Sequence, residues 1–140
     1  TANELIINEL LLYRTYHGVT LSLPTQMASS WAWDDSSHVE NNRRDYDKKY
    51  EIAISALQDV PKIIRPPGGF YIWLKVPCDD QLFAKRLYQE SNVIVLPGSY
   101  LAVENEGVNP GKDFVRIAIV HETEIIEQAL TAVNQTYVKV

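Results

Sequence analysis

Arg116 is the residue whose setting asks for chemistry. It stands alone as a charge in Phe114 to Val120, which reads Phe-Val-Arg-Ile-Ala-Ile-Val. The β-branched content and the length of this run predict a buried strand. Alternation places Phe114, Arg116, Ala118 and Val120 on one face and Val115, Ile117 and Ile119 on the other. A guanidinium keeps its proton even among apolar neighbours, so it needs an anionic partner. An internal carboxylate can supply one as a structural ion pair, or the carboxylate of a ligand can dock on the planar fork. Snorkelling from an edge strand is the remaining option.

No other set of residues assembles a reaction centre. The histidines 17, 38 and 121 lie far apart in the chain, outside any metal-ligand spacing. Cys78 follows a proline, with nothing near it in sequence to activate a thiolate. Ser99 after Pro97-Gly98 lacks the glycine frame of a nucleophile elbow. Gly68-Gly69 is a turn rather than a phosphate-binding loop. The Arg43-Arg44 pair belongs to a solvated helix face. The chain is therefore assigned no catalytic residue and no metal ligand.

The bulk composition narrows the class. A chain of 140 residues with 46% hydrophobic and 22% charged residues matches one ordinary soluble domain with a real core. A net charge of −5 without a basic patch argues against nucleic acid as a partner. No apolar run approaches the ~20 residues of a membrane span. The single cysteine and the absence of a leader-like start set a cytoplasmic expectation. The chain opens Thr-Ala-Asn without an initiator methionine, as a processed end or an excised piece would.

The elements that must position Arg116 follow from periodicity. Thr1 and Glu4 have capping-box spacing ahead of a helix ended by Gly18 as a C′ glycine. That helix is apolar over much of its circumference, through Leu5, Ile6, Leu10, Leu11, Leu12 and Tyr13. Pro24 suits the first turn of a second helix, which stops near Asp34-Asp35. Ser37 and Glu40 suggest another capping box, opening a long helix to about Gln58 with Val39, Arg43, Tyr46, Tyr50, Ala53 and Leu57 inward. Beyond Pro61 the period becomes two. Short strands are expected at Ile63-Ile64, Phe70–Val76 and Val93–Leu96, the last stopped by Pro97-Gly98. Asp79 or Asp80 caps an intervening helix, and a final amphipathic helix starts near Glu122. Three helices followed by alternating strands and helices make an α/β sandwich with a small sheet packed against helices.

Three segments in order carry a resemblance: Pro67-Gly68-Gly69-Phe70-Tyr71-Ile72-Trp73-Leu74, then Val93-Ile94-Val95-Leu96-Pro97-Gly98-Ser99, then Val115-Arg116-Ile117-Ala118. The series resembles the small, C-terminal domain of class I/II, fold type I pyridoxal-phosphate-dependent aminotransferases, over essentially the whole chain. Leu12-Tyr13-Arg14-Thr15-Tyr16-His17-Gly18, Asn42-Arg43-Arg44, Pro97-Gly98-Ser99-Tyr100-Leu101 and Asn109-Pro110-Gly111 look most like N-succinyldiaminopimelate aminotransferases of lysine biosynthesis.

The resemblance implies that Arg116 grips the substrate α-carboxylate, with Gly69 and Phe70 beside it; core packing is an equal reading of Phe70. It implies a small domain at 21–140 and a helix at 1–20 packed on a large cofactor domain. A full-length parent would be a dimeric transaminase using pyridoxal phosphate, glutamate and a succinylated diaminopimelate keto acid. No lysine here has the family's Ser-x-x-Lys setting, so this stretch is expected neither to bind the cofactor nor to transaminate alone. The alternatives are an aspartate or aromatic aminotransferase, a carbon–sulfur lyase, or a binding module without catalysis.

Overall fold

The computed structural model describes residues 3–18, 20–61, 63 and 65–140. These form two compact units, Thr1–Glu40 and Asn41–Val140.

In the first unit, helix α1 spans Glu4–His17 and helix α2 spans Leu23–Asp34. The side chain of Asn3, not Thr1, caps α1 by accepting from the Leu5 N–H at 2.9 Å. Thr1 lies outside the described residues. Gly18 ends α1 as expected, with its N–H donated to the Arg14 carbonyl, in an extended conformation (φ −120°). Glycine is favoured there by space, because a Cβ would lie 2.8 Å from the Arg14 carbonyl oxygen. Ser22 precedes α2, with Pro24 in its first turn as expected. Neither helix buries a single residue.

Helix α3, Ser37–Ala56, starts differently from expectation. Asp35 accepts from the Ser37 N–H and hydroxyl, and the Glu40 N–H bonds the Ser36 carbonyl. Ser37 thus stands inside the helix, and no Ser37–Glu40 capping box forms.

The second unit is built on a three-stranded antiparallel sheet. Strand β1 is Tyr71–Lys75, β2 is Leu96–Pro97 and β3 is Phe114–Ala118, in the order β1-β3-β2. β3 lies between the other two and antiparallel to both, so β1 and β2 run parallel to each other. Helix α4, Asp80–Ser91, connects them, and α5, Thr123–Lys139, follows β3 and packs on α4. Asp79 caps α4 by accepting from the N–H groups of Gln81 and Leu82. Ile72, Leu74, Val115 and Ile117 point to one side of the sheet. They join Phe83 and Leu87 of α4, Ile126, Leu130 and Val133 of α5, and Tyr50, Ala53 and Leu57 at the end of α3 in one apolar core.

The sheet is smaller and more open than its sequence suggests. β3 is half-buried, with every second residue buried, because only one of its faces is covered. Phe70 and Val76 fall outside β1, and Phe70 is exposed rather than inward. Of the run Val93–Leu96 only Leu96 pairs, together with Pro97. Ile63 is in no strand, and Ile64 lies outside the described residues. Among the described residues no helix is long and apolar enough to cross a membrane.

Candidate functional site

Arg116 occupies the middle of the central strand on the uncovered face. Its register partners are Trp73 on β1 and Leu96 on β2. Among the described residues no carboxylate forms an ion pair with it, and no hydrogen bond engages its guanidinium. The internal ion pair left open by the sequence is therefore not observed.

The guanidinium carbon instead lies 4.3 Å from the centroid of the Tyr71 ring. Tyr71 pairs with Ala118, not with Arg116, so the arginine leans diagonally toward the start of β1. Trp73, its direct partner, turns the other way and stacks on Phe114 at 5.6 Å with 14° between the rings.

The lean carries Arg116 toward the other two residues expected at the site. The Phe70 ring lies 4.3 Å from that of Tyr71 and 6.1 Å from that of Tyr46. Tyr71, to which the sequence assigned no role, thus joins Arg116 to Phe70. Gly69 precedes them with φ +96°, a left-handed conformation that L side chains rarely adopt. The space around it is open, so the requirement for glycine is conformational and not steric.

Tyr50, buried in α3, holds this turn in place. Its hydroxyl donates its proton between the carbonyls of Gly69, at 3.2 Å, and Tyr71, at 3.1 Å. Burial pushes the Tyr50 hydroxyl above its usual range despite the nearby Arg65, which keeps it a donor.

Gly69 and Phe70 also line a cleft of about 550 Å3 with Arg43, Tyr46, Tyr50 and Arg65. Arg65 is committed to an ion pair with Asp47. Arg116 does not line this cleft.

A second cluster fixes the two ends of β3's approach. Asp80, the first residue of α4, is buried, and its carboxylate accepts from the backbone N–H of Ser99 (2.9 Å) and of Asp113 (3.4 Å). Burial alone would raise its pKa. The hydrogen bonds from Ser99 and Asp113 outweigh that and hold it below the usual carboxylate range. Asn109 donates to the Ser99 carbonyl and accepts from the Gly111 N–H. Gly98 and Gly111 meet backbone to backbone, because a Cβ on Gly98 would lie 2.3 Å from the Gly111 carbonyl oxygen. The Pro97-Gly98-Ser99 and Asn109-Pro110-Gly111 segments are thus two halves of one junction. Their Gly, Asn and Pro content was the available signal. The partner carboxylate was not foreseeable, because Asp79 and Asp80 are equivalent as caps in sequence.

None of the described lysines follows a serine at three residues' distance, the setting the resemblance asks of a Schiff-base lysine. Lys48 and Lys139 pair with Asp45 and Glu90, and Lys49 lies over the Tyr46 ring. Lys75 projects from the same sheet face as Arg116 and is exposed. The Gly68-Gly69 turn does not open a helix, so it offers no ring of N–H donors to a phosphate.

A family model for aminotransferases of class I and II matches residues 9–133. An aminotransferase structure from Neisseria meningitidis superposes with a TM-score of 0.86 at 45% identity, over 96% of this chain and 35% of its own. The aromatic-amino-acid aminotransferase 2 of Thermococcus litoralis is 24% identical over 92% of this chain and 33% of its length. A structure described as a "probable N-succinyldiaminopimelate aminotransferase" from Thermus thermophilus has a TM-score of 0.60 at 28% identity, over 73% of this chain and 26% of its own. The chain spans about a third of the length of the first two.

Proposed function

Since the chain belongs to the class I and II aminotransferase family, we propose that it is the small domain of a pyridoxal-phosphate-dependent transaminase, and that its task is to hold the substrate α-carboxylate. The observation that carries this reading is Arg116. A permanently charged, bidentate fork stands at the centre of a rigid sheet, on its uncovered face, with no carboxylate paired to it among the described residues. Gly69 lets the chain turn beside that fork, and Phe70 walls it with an aromatic ring.

The division of labour is simple. Pyridoxal phosphate, held elsewhere in the full-length enzyme, supplies the electron sink for amino transfer. This chain binds and orients: Arg116 takes the carboxylate, and the rings of Phe70 and Tyr71 exclude water on one side. The helix at 1–20, whose Leu5, Leu11, Leu12 and Tyr13 are all exposed, packs on the large domain. The enzyme is a cytoplasmic homodimer.

The substrate reading is the succinylated keto acid of the diaminopimelate route, with glutamate as amino donor. The Asn42-Arg43-Arg44 and Asn109-Pro110-Gly111 segments and the Thermus thermophilus neighbour support it.

The test uses the full-length protein with pyridoxal phosphate and glutamate, offered the succinylated keto acid, oxaloacetate or phenylpyruvate in turn. Formation of 2-oxoglutarate should be fastest with the succinylated acid. Preference for oxaloacetate or phenylpyruvate would leave a transaminase of another specificity. No transfer to any of the three would overturn the enzymatic reading in favour of a binding module.

A further inference from the structure

We propose that Tyr71 is a positioning residue for Arg116: its ring face is the platform that holds the guanidinium in the orientation a carboxylate meets. The inference rests on the carboxylate-binding reading of Arg116 and adds to it the group that aims it.

Among the described residues Arg116 has no ion pair and no side-chain hydrogen bond to choose its rotamer on the uncovered sheet face. Left to itself it would sample many orientations, and a ligand would bear the entropy of ordering it. The structure provides one partner. The Tyr71 ring lies 4.3 Å from the guanidinium carbon, well inside cation–π range. A cation lying over a ring face is held without hydrogen bonds, so its N–H donors are not used up by the contact. A carboxylate needs those donors, so the platform does not compete with the ligand. An aspartate in the same place would occupy them.

The platform is itself held on both sides. The Phe70 ring lies against it at 4.3 Å, and the Tyr50 hydroxyl bonds the carbonyls of Tyr71 and of Gly69. The line of support runs from the buried end of α3, through the backbone of the Gly69 turn, to the ring and then to the arginine. Trp73 does not share the task, since its ring is stacked on Phe114.

The experiment is steady-state kinetics of the full-length enzyme carrying Tyr71→Leu, Tyr71→Phe or Arg116→Ala, and the Tyr71→Leu/Arg116→Ala double change. Tyr71→Leu should raise KM for the amino-acid substrate about threefold to tenfold, with kcat within about twofold. Tyr71→Phe keeps the ring face and should restore the native KM. In the Arg116→Ala background the Tyr71→Leu effect should vanish, because the group being positioned is gone. Thermal unfolding of each variant separates this from a folding defect, which would not disappear on removing Arg116. An equal KM rise in both backgrounds, or no recovery with phenylalanine, would overturn the platform role while leaving Arg116 as the carboxylate site. If Arg116→Ala leaves KM and kcat unchanged, the carboxylate-binding reading itself falls.

Discussion

The two faces of the three-stranded sheet share one backbone and follow different rules. On the covered face Ile72, Leu74, Val115 and Ile117 are closed over by α4, α5 and the end of α3. Each position there is fixed by volume and by exclusion from water. On the uncovered face Trp73 stacks on Phe114 and Arg116 lies over the Tyr71 ring, with no counter-charge to the arginine among the described residues. A side chain on the first face is explained by its neighbours. Arg116 on the second has no carboxylate paired to it among the described residues, and the proposed ligand carboxylate would supply one. On the proposed function, the contrast separates residues that fold the domain from residues that bind substrate within strands of five residues.

Substitutions at three positions would break or sharpen that contrast. The largest effect is expected on the uncovered face, at Arg116→Ala in the full-length enzyme. Losing two charge-assisted hydrogen bonds of ~1.5–3 kcal/mol each removes about 3–6 kcal/mol of transition-state binding. That is a drop in kcat/KM of roughly 10² to 10⁴. Unfolding stability should barely change, because no described carboxylate is left unpaired. Arg116→Lys should recover part of the activity, keeping charge without the fork. A large stability loss with near-normal kcat/KM would place Arg116 among the scaffold residues and erase the difference between the faces.

On the covered face, Leu74→Ala should behave in the opposite way. Leu74 is almost fully buried, and its truncation should cost about 2–5 kcal/mol of stability in a denaturant titration. The protein that remains folded should keep its kcat/KM within a few-fold.

The third substitution tests the support under the strand that carries both faces. Asp80→Asn keeps the shape but offers one acceptor where the carboxylate offers two, so stability should fall by about 1–3 kcal/mol at neutral pH. The pH dependence has a definite sign. Hydrogen bonds hold the folded Asp80 below its ordinary value of 3.8, so its contribution is fully present above that value. It is lost as pH falls through the lowered value. Unfolding measured from pH 6 down to about pH 2 should therefore show a smaller acid loss for Asp80→Asn than for the native protein. Parallel curves for the two would remove Asp80 from this role.

Sequence reading reached different depths in different places. The five helices and the face assignment of β3 were legible, because 3.6- and 2-residue periods survive without tertiary information. The edges were not. Val93 to Leu96 is rich in β-branched residues, yet of these only Leu96 finds a ladder, although β3 extends to Ala118; composition does not say where a strand leaves its partner. Thr1 and Ser37 had capping spacing, but Asn3 caps α1 and Asp35 bonds the start of α3, a local competition that spacing cannot rank. At the site, Arg116 announced itself as a charge in an apolar run. Tyr71 looked like any strand aromatic. Its significance lies in a diagonal contact with a residue two ladder steps away from its own pair. Asp80 likewise depends on Ser99 and Asp113, which lie 19 and 33 residues further along.

The backbone contact between Gly98 and Gly111 turns the chain between them into a detachable excursion. Asn109 and Asp80 close its base, while residues 103–107 beyond it are exposed. A loop whose ends are already joined feels added length only through closure entropy, about 0.6 kcal/mol for each doubling. Residues can therefore be added at its tip without disturbing the strand that follows. For an engineer, positions 103–107 are where a reporter peptide or a second domain would go. For a lineage, they are where a shared scaffold could acquire new contacts while keeping its arginine in place.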